Sequence, residues 1–322
     1  GRLLSHPVYR DDFILAKFTA SLLLITVVLF SLGFLALLIT AFGTFFLGLN
    51  LGIDKTEAKY ANLKAITIRE ENETSYQQQD LVTFYYVVFQ PYQQFKENYL
   101  TLIENITHSS KPVSSDKLKD IRDNAKASYE QIAVHSIADS SPLLKEAQTD
   151  YLKSLKLFEE SMDQIKSKAG NKKGMELAKI VNQDEFTVNA KKYGLQAQKK
   201  YYASMLKWTA KTKNGVSADY TYKENIGTKE WSGYTLAVKN KAVTDMMVNE
   251  QLYVSYLPQD FTAKIDQLIS SGKAEALQLN SIGSIVKVLI ETDAVKSKEF
   301  VKWKSTYYAS ESLPELPFFA EN

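Results

Sequence analysis

FTASLLLITVVLFSLGFLALLITAFGTFFLGLNLGI, residues 18–53, carries no charged side chain; Lys17 precedes it and Asp54 follows it. A bilayer core is about 30 Å thick and needs roughly 20 apolar residues as a helix. A charge near the middle of such a helix costs about 2.5 to 3.5 kcal/mol, and this run has none. The pattern therefore predicts an N-terminal transmembrane helix. At about 1.5 Å per residue the run would reach roughly 54 Å, more than one bilayer needs, and tilt absorbs only part of the excess. The surplus around Phe42, Phe45 and Phe46 should then be covered by other chains, because exposed apolar patches of that size are rare. Gly48 and Gly52 have the small-xxx-small spacing that lets membrane helices approach closely. Gly43, Gly48 and Gly52, with the three phenylalanines, make up the expected helix–helix interface. A turn near Ser31 to Gly33 would instead give a hairpin of two short spans. A cleaved signal peptide is disfavoured, since its apolar core is only about 7 to 15 residues long.

The rest of the 322 residues, roughly 270 beyond the apolar run, is enough for one large or two modest domains with real cores. Charged residues make up 24% and the net charge is +2. Lysines alternate with acids, so no basic groove for nucleic acid is expected. With no cysteine, disulfides, thiolate nucleophiles and cysteine-based zinc sites are excluded. Positive charge on the two flanks nearly balances: Arg2, Arg10 and Lys17 before the run, Lys55, Lys59, Lys64 and Arg69 after it. A short tail before one apolar segment and a large domain is a signal-anchor arrangement. That predicts a single-pass cell-membrane protein of bacterial type, N-terminus inside and large domain outside.

The expected fold class is all-α: the transmembrane helix, then an elongated extracytoplasmic helical bundle with coiled-coil-like packing. Residues 1–17 read as a short cytoplasmic tail, 18–53 as the membrane helix with its apolar extension, and 54–211 as helical bundle and stalk. Residues 212–228 read as an irregular loop, and 229–322 as a second helical subdomain with a C-terminal tail. Within the bundle, Pro91 should kink or break a helix running from residue 56. Leu118, Ile121, Ala125, Tyr129 and Ile132 mark one buried face. Leu144, Tyr151, Leu155, Phe158, Met162 and Ile165 give the clearest heptad. Val181, Val188, Leu195 and Tyr202, seven apart, suggest one long helix over 175–210. The period breaks at KNGVSADYTYKENIG, and helices are expected over 229–256, from Pro258 to near Gly272, over 274–290 and over 294–308. SLPELPFFAEN should end the chain without a helix.

Chemistry is sparse. His6, His108 and His135 are isolated, with no HExxH spacing. His135 near Ser136, Asp139 and Ser140 reads as a helix end, because no nucleophile-elbow context surrounds it. Glu70 with Glu71 and Glu159 with Glu160 are neighbours on solvated helices, where adjacent side chains do not converge. No phosphate loop, dinucleotide fingerprint or calcium loop is present, so no cofactor, no metal and no enzymatic activity are expected. Tyrosine is abundant. Tyr220, Tyr222, Trp231 and Tyr234 cluster around the irregular loop and form the candidate binding surface. The expected partners are the lipid bilayer and further copies of the chain or other membrane subunits, with no nucleic acid. The reading is a membrane-anchored structural or accessory subunit that joins a complex through its long apolar helix. The alternatives are an extracytoplasmic sensor or ligand-binding bundle and a helical pore former.

Overall fold

A computed structural model describes residues 75–110, 112–167 and 172–320. Glu73–Asn322 form one compact unit. The described residues contain helices and no strand, so the chain is all-α over that region. Residues 18–53, and with them Gly43, Gly48, Gly52, Phe42, Phe45 and Phe46, lie outside the described residues.

The membrane-anchored reading is corrected: among the described residues no helix is long and apolar enough to cross a membrane. The physical reason is visible in the longest helix, Glu185–Thr212, which carries Lys191, Lys192, Lys199, Lys200, Lys207 and Lys211 beside its buried face. The single-pass topology, the signal anchor, the inside–outside assignment and the accessory subunit held by an apolar helix fall with that finding.

The helices follow their apolar spacing. The first is α1 (Gln78–Phe84), which runs through a π-turn (Tyr85–Phe89) into α2 (Gln90–Thr107). Pro91 does not break it. A proline lacks the N–H for an ordinary helical bond and crowds the carbonyl four residues back; the wider turn just before it, in which the Gln90 N–H reaches Tyr85 O, takes up the misfit. Next come α3 (Asp116–Ala133) and α4 (Pro142–Lys166), the latter opened by proline at the position where a missing N–H costs nothing. All six heptad residues of α4 are buried.

The expected long helix over 175–210 is two, α5 (Gly174–Gln183) and α6 (Glu185–Thr212). Asp184 stands between them in extended backbone and accepts a hydrogen bond from the Thr187 N–H, capping α6. The break shifts the helical phase, which leaves Val188 41% exposed while Leu195 and Tyr202 stay buried. Beyond residue 227 come α7 (Thr228–Ser232), α8 (Leu236–Asn249), α9 (Pro258–Ser270), α10 (Lys273–Ala276), α11 (Ile282–Glu291) and α12 (Glu299–Tyr307), then a single 3₁₀ turn (Pro317–Phe319). Two helices expected as continuous are therefore split, one at Gly233 and the other near Leu277.

Helix α4 packs between α3 and α6, α6 also packs on α8, α8 on α9, and α9 on α12. One apolar cluster runs from Leu81 to Phe319, fed by residues on both sides of the irregular segment. Its centre is a column of rings along α2, α4 and α6, with Tyr92 to Tyr151 at 4.1 Å and Tyr99 to Phe158 at 4.6 Å between centroids. Burying a ring of this size stabilises by about 1.5 to 3 kcal/mol. The Tyr92 hydroxyl ties the column to its neighbours. Tyr92 shares hydrogen bonds with Ser154 (2.8 Å) and Tyr253 (3.0 Å), and Ser154 donates to the Ala190 carbonyl. Gly194 makes room for this: a Cβ there would lie 2.0 Å from the Tyr92 hydroxyl.

Candidate functional site

The segment between α6 and α7, residues 213–227, has no regular structure, yet it is tied at both ends and along its length. It leaves α6 through Gly215, whose φ of +81° is a left-handed conformation that only glycine adopts without strain. Ser217 then folds the chain back on itself by donating to the Asp219 carbonyl (2.7 Å), and Lys207 on α6 holds the Asp219 carboxylate at 2.8 Å. At the far end Ile226 is fully buried, its carbonyl accepts the Ile282 N–H at 2.8 Å, and Gly227 pairs with Ser281 in an isolated antiparallel bridge. Lys213 meets Glu311 at 3.3 Å, and the other oxygen of that carboxylate accepts the Leu236 N–H.

Of the four aromatic residues picked out by the sequence, three touch in series. Tyr220 meets Tyr234 edge to face at 6.2 Å, and Tyr234 meets Trp231 at 6.3 Å. They differ in exposure. Trp231 is fully buried, Tyr220 and Tyr234 are half-buried, and Tyr222 is 38% exposed. The Tyr234 hydroxyl donates to Glu230 (2.6 Å), which also binds Lys223 on the irregular segment (2.5 Å). The lysine hydrogen bond keeps the Glu230 carboxyl below the usual carboxylate range.

Below Trp231 lies a buried ionic tie that sequence reasoning missed. Asp266 on α9 accepts from the Trp231 Nε1–H (2.7 Å), from Lys239 on α8 (2.9 and 3.0 Å) and from the Tyr308 hydroxyl just beyond α12 (2.5 Å). A neighbouring tie joins Lys241 (2.7 Å) and Lys199 (2.9 Å) to Asp245. The Lys241 ammonium stands 5.7 Å from the centre of the Tyr220 ring, within range of a cation–π contact. Burial lowers the Lys241 pKa and pushes that of Tyr220 up to about 12. One signal was available in the sequence. Lys239, Lys241 and Asp245 sit in a helix that is otherwise largely apolar, which puts charge at core positions, whereas Asp266 carries no such mark.

Elsewhere the described histidines and the Glu159–Glu160 pair are taken up by local structure. His108 bonds the Glu104 carbonyl one turn back at 2.9 Å, and the His135 carbonyl accepts from Gln148 at a helix end. Glu159 and Glu160 share Lys156. An open groove of about 600 Å³ between α2 and α3 is lined by Asn98, Thr101, Leu102, Asp120, Asp123 and Asn124. Its Asp123 is held by Arg122 at 2.7 Å. Among the described residues no group of histidines and carboxylates is placed to hold a metal. Comparison with protein-family models, with curated proteins and with solved structures finds no match for this chain.

Proposed function

We propose that this chain is a non-enzymatic protein-binding module, and that residues 213–227 with Tyr222 and Tyr234 form its contact surface. The observation that carries the reading is a long irregular segment fixed from beneath. Loops beyond about 12 to 15 residues without secondary structure are uncommon in compact domains and are usually functional. This one ends on a fully buried Ile226 and rests on a fully buried Trp231, while Tyr222 faces outward. A surface whose backbone is already ordered loses little entropy on binding, and tyrosine is among the residues that dominate interface energies. The buried ionic ties beneath it fit a foundation better than a reaction centre, because Asp266 is already held by Lys239, Trp231 and Tyr308, and Asp245 by Lys241 and Lys199. The coiled-coil-like packing belongs to the same reading, with the α4 heptad as its support. Alternating charge keeps nucleic acid out of the proposed partners.

The test is a photo-crosslinking residue placed at Tyr222 in the full chain, expressed in the cells it comes from. The expected result is a discrete protein adduct at 222, and none with the same residue at Val134, which is 78% exposed at the end of α3. Tyr222→Ala should weaken the captured complex by about five- to thirtyfold. Equal labelling at both positions, or none at either, would remove the support for this surface.

A further inference from the structure

Asn214 and Gly215 stand at the entrance of the irregular segment, just beyond the end of α6. No other asparagine of the 322 residues is followed by glycine. Both residues lie in a turn and both are exposed. The fastenings on either side stop short of them: Lys213 is held by Glu311 at 3.3 Å, and Ser217 by the Asp219 carbonyl at 2.7 Å. No described residue hydrogen-bonds the Gly215 N–H or the Asn214 side-chain amide. A Cβ placed on Gly215 would meet nothing within 4 Å, so the space beside the glycine is open.

These are the conditions for a reaction of the chain with itself. A backbone nitrogen held in a hydrogen bond cannot turn onto the side chain before it, and a side chain of its own would crowd its approach. Glycine removes the crowding, and the turn leaves the nitrogen unengaged. Asn280 makes the contrast. It too is exposed and precedes a small residue, but the Ser281 N–H donates to Ser284 Oγ at 3.4 Å, and Ser281 is pinned as the cap of α11 and by its bridge to Gly227.

We propose that Asn214 is a self-modification site at which the chain converts its own asparagine to isoaspartate and aspartate, loosening the near end of the irregular segment. The Gly215 nitrogen gives up its proton and attacks Asn214 Cγ. The new N–C bond closes a five-membered imide, and the side-chain nitrogen leaves as ammonia with that proton. Water then opens the ring at either carbonyl, so the balance is one water consumed and one ammonia released. Opening at the backbone carbonyl gives isoaspartate, which routes the chain through Cβ and Cγ and adds a methylene to the turn. Either product sets a carboxylate beside Lys213, where it competes with Glu311 for the ammonium. The far end, at Ile226 and Gly227, is untouched. The chemistry does not require that Tyr222 meet a partner, so this proposal and the binding surface stand or fall separately.

The experiment ages the full natural chain and Asn214→Gln for days in mildly alkaline buffer, with fresh chain as reference. A glutamine would have to close a larger, less favourable ring. Peptide mapping by mass spectrometry, with fragmentation that separates isoaspartate from aspartate, reads the conversion. Hydrogen exchange reads the segment. The expected result is that most of Asn214 in the natural chain is converted, with isoaspartate among the products, while Asn280 stays intact. Amides of residues 216–222 then exchange faster than in the fresh chain, the Ile282 amide keeps its protection, and aged Asn214→Gln shows neither change. An intact Asn214, or conversion no faster than at Asn280, would overturn the site. Conversion that left exchange over 216–222 unchanged would overturn the loosening.

Discussion

Raising the pH from 10 to 11 is expected to unfold the described core in one cooperative step, with tyrosinate absorbance rising in the same transition. Tyr92, Tyr99, Tyr151, Tyr201, Tyr202 and Tyr253 are buried in or beside the ring column, and burial raises each of their pKa values, that of Tyr92 to about 12. In the unfolded chain a tyrosine ionises near 10. Above pH 10 the unfolded state therefore binds fewer protons than the folded one, and stability falls as pH rises. Tyr92, ionising near 10 in the unfolded chain and at about 12 in the folded one, removes on the order of 1 kcal/mol between pH 10 and 11, and the other five, shifted in the same direction by burial, add to the loss.

Lys96 works in the opposite direction. It is 2% exposed, stands 5.2 Å from the Tyr253 ring centre, and burial lowers its pKa from the usual 10.5 to about 8. Below pH 8 both states are protonated and the cost of the buried charge is felt in full. Between about 8 and 10.5 the folded state is neutral while the unfolded chain still binds a proton, so stability rises with pH, by an amount on the order of 3 kcal/mol. Burial lowers Lys191 to about 8 as well, which adds to the rise. Stability should therefore climb between pH 8 and about 10 and then collapse. Denaturant melts at half-unit intervals follow the curve, and Lys96→Met should flatten the climb and leave the collapse. A stability that stayed level from pH 9 to 12 would contradict the placement of these rings.

Asp266→Ala is expected to be the most damaging single substitution around the candidate site. It strips the carboxylate that pairs with Lys239, which is 9% exposed, and removes the acceptor used by Trp231 Nε1 and the Tyr308 hydroxyl. Breaking a buried pair by removing one partner costs about 3 to 5 kcal/mol, because the other charge stays buried and uncompensated. Four elements converge on this carboxylate, so the loss should loosen α7 and the segment in front of it as well as α8 and α9. Replacing the pair together, Asp266→Leu with Lys239→Met, should recover most of the stability, since a well-packed apolar pair often matches or exceeds a buried ion pair. Urea unfolding of the three variants is the measurement. A loss under about 1 kcal/mol for Asp266→Ala would show that the tie carries little.

The helical character of the chain was readable because its apolar residues recur at helical spacing; the α4 heptad is the clearest case, all of it buried. Where two helices meet end to end, spacing alone could not show the joint. Val181 to Tyr202 keep a seven-residue interval across Asp184, yet Asp184 caps a new helix and turns Val188 outward. Pro91 was read by its usual local rule, and the π-turn that accommodates it has no composition signature. The aromatic cluster at Tyr220, Tyr222, Trp231 and Tyr234 was visible as a concentration of rings around a break in period. Its division into a buried foundation and an exposed edge depends on Asp266 and Tyr308, far along the chain, which join Lys239 beneath Trp231 only when α8, α9 and α12 pack together. The apolar run at 18–53 dominated the reading of function because it is the strongest local signal. The proposed surface in the described region rests on contacts between distant residues, which no local pattern encodes.

The central claim is that residues 213–227 are held as a preformed surface, and hydrogen exchange at the Ile282 amide tests it most directly. That N–H is bonded to the Ile226 carbonyl at the end of the segment. If the segment is fixed on its foundation, the amide exchanges only when the whole unit unfolds, with the protection and the denaturant sensitivity of the α4 core amides. Exchange through a local opening insensitive to denaturant, far faster than in α4, would show a segment that comes and goes, and the proposal of a preformed binding surface would fall.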